Sequence, residues 1–354
     1  MIDFKTKNVC DINTIMKIRF LFGFYCDFPF NKRFQNILKF YCISVLVVLI
    51  LGSWVCSTGF RSDKKIVIYC EYIAYFLISL STKDRYIFDY YKQQPLIDGS
   101  TTSKVLYKKL ERLLKYFVTI TIVLKMLNIF VFCGWNLTKC INELDGVLFI
   151  NLLWIGLLLA RLSLPVIYGL LYFRLRVLRM TLESKGFSNS PQNRFTPKKY
   201  ITIYEKIMED LFKMDYPLKY VFIIFLIGSV PKLLQNSWQF LNSLKNYGPE
   251  ISKILEFTLE CLHSYIVIIL PIVVALDLSE DEIKKMKIIT LNKRLACLNE
   301  RQKMEIQQLF LLLKNNSLRY NLWRVVPVNL KSVLIFLSFG VTNAIAIMQA
   351  KNLN

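Results

Sequence analysis

The stretch VLFINLLWIGLLLARLSLPVIYGLLYF, residues 147–173, runs directly into RLRVLRMTLESK, residues 174–185. About 20 apolar residues cross a hydrocarbon core, so the first segment can span a bilayer and project beyond it. Leu171, Leu175, Leu178 and Leu182 then recur at i, i+4, i+7 and i+11, with Arg174, Arg176 and Arg179 between them. A membrane helix therefore continues into water as an amphipathic one. Six further apolar stretches, Phe40–Cys56, Ile66–Leu80, Tyr116–Trp135, Tyr220–Phe240, Ile254–Leu276 and Val326–Met348, read as spans. Thirty-six of the forty-six Lys and Arg residues lie in four segments that alternate with these stretches, residues 1–39, 83–115, 174–219 and 277–331, the last reaching Lys331 at the start of the seventh. Cytoplasmic loops retain Lys and Arg, so the expected fold is an all-α membrane protein of seven transmembrane helices, N-terminus cytoplasmic and C-terminus extracellular.

Hydrophobic residues make up 54% of the chain, too apolar a composition for an ordinary soluble domain. The net charge of +21 suggests nucleic acid in a soluble protein. Here the basic residues flank spans and face anionic inner-leaflet lipid, so no nucleic-acid partner is expected. No cleavable signal peptide is visible in residues 1–38, a charged cytoplasmic segment, and the first span is expected to act as signal anchor. Ser184–Lys199, with Gly186, Pro191 and Pro197, reads as a loop. Beyond it Ile203, Ile207 and Leu211 share one face of a helix leading into the fifth span. Ser279 and Glu282 form a capping box expected to start a separate cytoplasmic helix after the sixth. Ile306, Leu309, Phe310 and Leu313 make one more apolar stripe. These stripes either bury against each other or neighbouring subunits, or lie on the lipid surface. No internal repeat is visible, which disfavours a secondary transporter.

No catalytic set is apparent. The one histidine, His263, falls in the sixth span with Glu256 and Glu260 on the same helical face, and no Cys/His cluster has metal-ligand spacing. No enzyme activity, metal or cofactor is expected. Charge inside a membrane is costly and marks a cavity or an internal ion pair. Glu71, Lys232, Glu256 and Glu260 fall in the outer halves of their spans, and Lys125 and Arg161 nearer mid-depth. On the fifth span Gln235, Trp238, Gln239 and Asn242 form a polar and aromatic face. Asn151 and Trp154 add to it from the fourth, and Tyr72 and Tyr75 from the second. An outward-opening polar pocket with aromatic walls is expected, the alternative being polar contacts between helices. Among nine cysteines, Cys56, Cys70, Cys133 and Cys140 fall near the outer face. Asn136-Leu137-Thr138 is a glycosylation sequon on the expected outer side, whereas Asn315-Asn316-Ser317 is expected to be cytoplasmic and silent. Asp84-Arg85-Tyr86 spells the tripeptide of G-protein-coupled receptors, but after the second span and with the opposite topology.

Thr342-Asn343-Ala344-Ile345-Ala346-Ile347-Met348-Gln349 resembles the terminal signature of insect gustatory receptors: Thr-Tyr, five hydrophobic residues, then Gln-Phe. Asn343 stands in place of the tyrosine and Ala350 in place of the phenylalanine. Residues 328–340 resemble the lead-in to that signature. The resemblance implies a ligand-gated, non-selective cation channel of four subunits, homomeric or with related receptors, in the plasma membrane of sensory neurons. On that resemblance, residues 39–276 form a six-helix ligand-binding bundle and 277–325 the anchor helices. Residues 326–354 form the pore-lining seventh helix and extracellular tail. Ser338, Thr342, Ile345 and Gln349 share one face of that helix. Lys331 and Lys351 are expected to point away from the pore. The sugar-sensing branch resembles Thr-Tyr-Glu at the signature, and Ala344 replaces the acid. A bitter or plant-derived tastant is the expected ligand, with fructose or another small polar molecule left open. Olfactory receptors share the architecture implied by the resemblance but generally lack the signature.

Overall fold

The computed structural model describes residues 8–28, 31–56, 62–132, 144–185, 187, 196–247, 259, 267–316, 321–322, 326–327 and ten positions between 331 and 349. Side chains are described for most of these. Eleven helices carry the fold among the described residues: α1 (Asn13–Leu21), α2 (Lys32–Cys56), α3 (Ser62–Thr82), α4 (Arg85–Tyr91), α5 (Pro95–Asp98), α6 (Thr101–Phe132), α7 (Leu144–Arg161), α8 (Ser163–Lys185), α9 (Pro197–Tyr247), α10 (Val267–Leu295) and α11 (Glu300–Asn315). The described positions from 331 to 349 are also helical. A minimal antiparallel pair, Asn321–Leu322 with Val326–Pro327, is the departure from an all-helical chain.

Among the described residues, three helical stretches, Lys32–Cys56, Lys65–Thr82 and Leu148–Ser184, are long and apolar enough to cross a membrane by length and composition. On α2 the side chains of Phe40, Val48, Leu51, Trp54 and Val55 are exposed. Such a face is costly in water and natural against lipid. Across the α7–α8 junction every residue from 153 to 168 is buried, so this pair lies inside the bundle. The two helices are separated at Leu162. Pro165 has no N–H to offer the carbonyl of Arg161, and its ring crowds that carbonyl. The ladder locally tightens to Leu162 N–H donating to Leu159 O at 3.2 Å.

The stripes read from the sequence are the ones that bury. Leu171, Leu175, Leu178 and Leu182 of α8, Ile203, Ile207 and Leu211 of α9, and Ile306, Leu309 and Leu313 of α11 are all in the core. They meet because α8 packs on α9 and α10, while α11 packs on α9 and α10. The apolar stripes thus bury against one another rather than lying apart on a lipid surface.

The expected cap at Ser279 is not there. Helix α10 runs without interruption from Val267 to Leu295, so span and anchor helix are one rod. Ser279 Oγ donates to Ala275 O, one turn back, and the Glu282 carboxylate accepts from Arg179 of α8. A capping pattern carries weight only where the preceding turn leaves backbone groups unsatisfied, and here it does not. Likewise α9 joins the amphipathic segment and the fifth span in a single helix containing Pro217 and Pro231.

The N-terminal segment is built into the bundle. Ile12, Phe24, Tyr25 and Cys26 are buried, Tyr72 donates to Phe22 O, and Ser79 Oγ donates to Tyr25 O at 2.9 Å. Lys83 and Asp84 turn the chain from α3 into α4 at φ of 56° and 46°. Non-glycine residues there cost about 1–3 kcal/mol each and need outside support. Arg19 supplies it, its Nη2 lying 2.7 Å from Asp84 Oδ2 with both side chains buried.

Candidate functional site

Helices α3, α7 and α9 converge on a buried group of charges. Glu71 comes from the middle of α3, Arg161 from the last position of α7, and Lys232 from α9 just after Pro231. Arg161 donates through Nε (3.0 Å) and Nη2 to Glu71 Oε1, while Lys232 Nζ donates to Oε2. All three side chains are at most 6% exposed. Charge in a low-dielectric interior survives only when paired and hydrogen-bonded. The two-sided carboxylate meets that requirement. Sequence reasoning set Glu71 and Lys232 at one depth and Arg161 at another. The structure brings the three into contact.

Aromatic rings pack against the cations of this group. Lys232 Nζ lies 4.6 Å from the centroid of the Trp154 ring and Lys125 Nζ 5.1 Å from it, so the indole meets two ammonium groups. Arg161 places its guanidinium carbon 4.7 Å over Phe225. Such contacts contribute about 0.5–2 kcal/mol each, more when dry. Asn151 lies one turn from Trp154 along α7, towards the end away from the anchor. Gln235 and Trp238 follow Lys232 along α9 in the same direction; all three are half-buried. These amide and aromatic side chains lie on α7 and α9 beyond the ion-paired triad.

Tyr72, expected in the pocket wall, spends its hydroxyl on Phe22 O and is fully buried. A Cβ at Gly156 would stand 2.6 Å from its ring, so Tyr72 also fills the α3–α7 contact. Tyr75 similarly donates to Val221 O at 3.3 Å. Glu256, Glu260, His263 and the sequon at Asn136 lie outside the described residues, as does the side chain of Gln239. A separate apolar crevice between α6 and α7 is lined by Val118, Ile155, Leu158 and Leu162 among others. Its free volume of about 10 Å³ is close to the minimum for one water, so no organic ligand fits there.

At the C-terminus Ser338, Thr342, Ile345 and Gln349 are helical and exposed, forming an uncovered stripe with Leu334, Ile335 and Phe339. Asn343, in the place of the signature tyrosine, turns its amide back on the helix and donates to Phe339 O at 2.8 Å. Lys331 is also helical. It lies seven residues before Ser338, hence on the same arc, and is exposed.

Among solved structures, the insect olfactory receptor OR5 from Machilis hrabei superposes with a TM-score of 0.69 at 11% identity, over 96% of this chain and 98% of that one. The chain is similar in fold to an insect olfactory receptor. The same receptor in complex with eugenol gives 0.70 at 10% identity, with the same coverage. The sequence matches no protein-family model and no curated protein. The likeness is thus one of architecture along nearly the whole chain.

The interacting groups that sequence reasoning left out of the site are Glu71, Arg161, Lys232 and Lys125. Their signal was visible, since charges of both signs sat inside apolar stretches. What sequence does not supply is which span faces which.

Proposed function

We propose that this chain is a subunit of a ligand-gated, cation-permeable channel of the insect chemoreceptor kind. The carrying observation is the fold likeness to an insect olfactory receptor over 96% of the chain. The uncovered Ser338, Thr342, Ile345 and Gln349 stripe supports it, because an exposed polar-and-apolar helix face suits a pore lined by several subunits. In this reading the N-terminus and anchor helices are cytoplasmic and four subunits, of this chain alone or with relatives, meet around the last helix. The pocket above the Glu71 triad opens to the outside, with Asn151, Trp154, Gln235, Trp238 and Gln239 as walls and Glu256, Glu260 and His263 facing them from the sixth span.

Within that class the signature-like Thr342 and Gln349 favour a gustatory receptor in sensory neurons, and Ala344 favours a bitter or plant-derived ligand over a sugar. An olfactory-type receptor is the second reading, favoured by the two structural neighbours and by one of them holding eugenol. Recording currents from cells expressing this chain alone, against plant compounds, volatile aromatics and sugars, tests both. Intrinsic cation current evoked by a plant compound is the expected outcome. Responses that require a G protein and carry no intrinsic current would overturn the channel reading.

A further inference from the structure

The first turns of α6 carry Lys104, Lys108, Lys109, Arg112 and Lys115, all exposed. The opposite face, Leu106, Tyr107, Leu110 and Leu114, is in the core. Glu111 lies 2.6 Å from Lys115, and Asp11 also acts on that lysine. Among the described residues no carboxylate pairs with the other four. Like charges three and four residues apart repel one another along a helix, so this face is complementary to a partner with several negative charges.

The same arc then changes character. Taking 100° per residue, Lys104 to Lys115 occupy an arc of about 140°. Tyr116, Ile120, Val123 and Leu127 continue along it and are exposed. An exposed apolar face on a helix of this length lies against acyl chains, and a tyrosine at its edge marks the headgroup level. On the reading of α6 as the third span, residues 116–135, the basic turns sit over the headgroups on the side of its N-terminal end. Four cations without carboxylate partners, gathered on about three turns of helix, exceed what a singly charged headgroup can neutralise.

We propose that this face of α6 binds the polyphosphorylated headgroup of a phosphoinositide in the leaflet at the N-terminal end of that span. The proposal rests on reading α6 as membrane-spanning, and not on the ligand or the pore. Lys104, Lys108, Lys109 and Arg112 contact the phosphates, while Tyr116 and the apolar residues beyond it seat the acyl chains.

The test is lipid retention by the purified full-length chain in detergent, read by native mass spectrometry. The probes are phosphatidylinositol 4,5-bisphosphate, phosphatidylserine and phosphatidylcholine. The bisphosphate should be retained over the other two, and Lys104→Gln, Lys108→Gln, Lys109→Gln and Arg112→Gln together should weaken it on the order of a thousandfold. A control removing equal charge from the anchor, Lys284→Gln, Lys285→Gln, Lys287→Gln and Lys303→Gln, should retain it. Equal loss in the control, or phosphatidylserine bound as well as the bisphosphate, would overturn the assignment. The readout does not depend on membrane orientation, so it stands or falls apart from the receptor reading.

Discussion

The backbone of Gly228 lies against the carboxylate of Glu71: a Cβ at Gly228 would stand 2.6 Å from Glu71 Oε2. Helix α9 can therefore approach α3 closely at this point, and Lys232, one turn further on, reaches the same oxygen. Gly228→Ala forces the helices apart or displaces the carboxylate from its cations. The expected cost is that of overpacking a tight core, about 1–3 kcal/mol. It should appear as a lower melting temperature of the purified chain in detergent. An unchanged melting curve would mean that the contact is looser than described.

Glu71→Gln should cost more, because it removes the carboxylate that serves both Arg161 and Lys232. Breaking a buried ion pair from one side costs about 3–5 kcal/mol, since the remaining charge stays desolvated. Adding Lys232→Met to that variant should restore part of the loss. A double-mutant cycle measures the coupling, and strictly additive losses would show that the two residues do not interact.

These contacts also show what sequence can reveal. The stripes of α8, α9 and α11 were legible because a 3.6-residue period is a local property, and each stripe found a partner of the same kind. The triad was not, because Glu71 and Lys232 are separated by 161 positions and meet only through the packing of α3 on α9. Ser279 and Glu282 misled for the opposite reason. Their spacing satisfied a local rule, but the helix was already under way and Arg179 claimed the carboxylate from another helix. Of the residues expected in the pocket, Trp154 is buried against the two lysines, while Asn151, Gln235 and Trp238 are half-buried. Tyr72 turned inward because the N-terminal segment, which has no long apolar run to announce it, inserts beside α3.

Cys10 gives a test of that insertion. Burial, followed by the nearby carboxylates of Glu111 and Asp11, pushes its thiol up to about 12. At pH 7.5 its thiolate fraction is therefore about four orders of magnitude below one half, and the thiolate is the reactive form. Cys297, half-exposed in the turn between α10 and α11, has no such shielding from solvent. Brief maleimide treatment followed by peptide mass spectrometry should modify Cys297 and leave Cys10 intact until the protein unfolds. Rapid modification of Cys10 in the folded chain would place residues 8–28 outside the bundle.

Lys331 bears on conduction. It shares an exposed arc with Ser338, and if that arc lines a pore, each subunit adds a positive charge near one mouth. Lys331→Gln should then raise cation current, by a larger factor at low ionic strength than at high, because exposed charge is screened by salt. Surface abundance serves as the control. Currents insensitive to this substitution and to Gln349→Ala and Ile345→Ala would move the pore to another helix.

The pocket reading separates residues that face a ligand from residues that hold helices together. Trp238 is half-buried beyond Lys232 on α9, so truncating it should open space in the lining while leaving the Glu71 triad in place. Tyr72 is different, because its hydroxyl serves Phe22 and its ring fills the gap beside Gly156. Tyr72→Phe loses one buried hydrogen bond and strands a carbonyl, at about 1–3 kcal/mol. Trp238→Ala should therefore shift the agonist dose-response severalfold or more with little change in surface abundance, whereas Tyr72→Phe should lower abundance with the dose-response unmoved. The comparison is made on the same cells, with current and surface label measured together. Equal loss of current and of folded protein in Trp238→Ala, with unchanged sensitivity in the channels that remain, would assign that face of α9 to bundle packing.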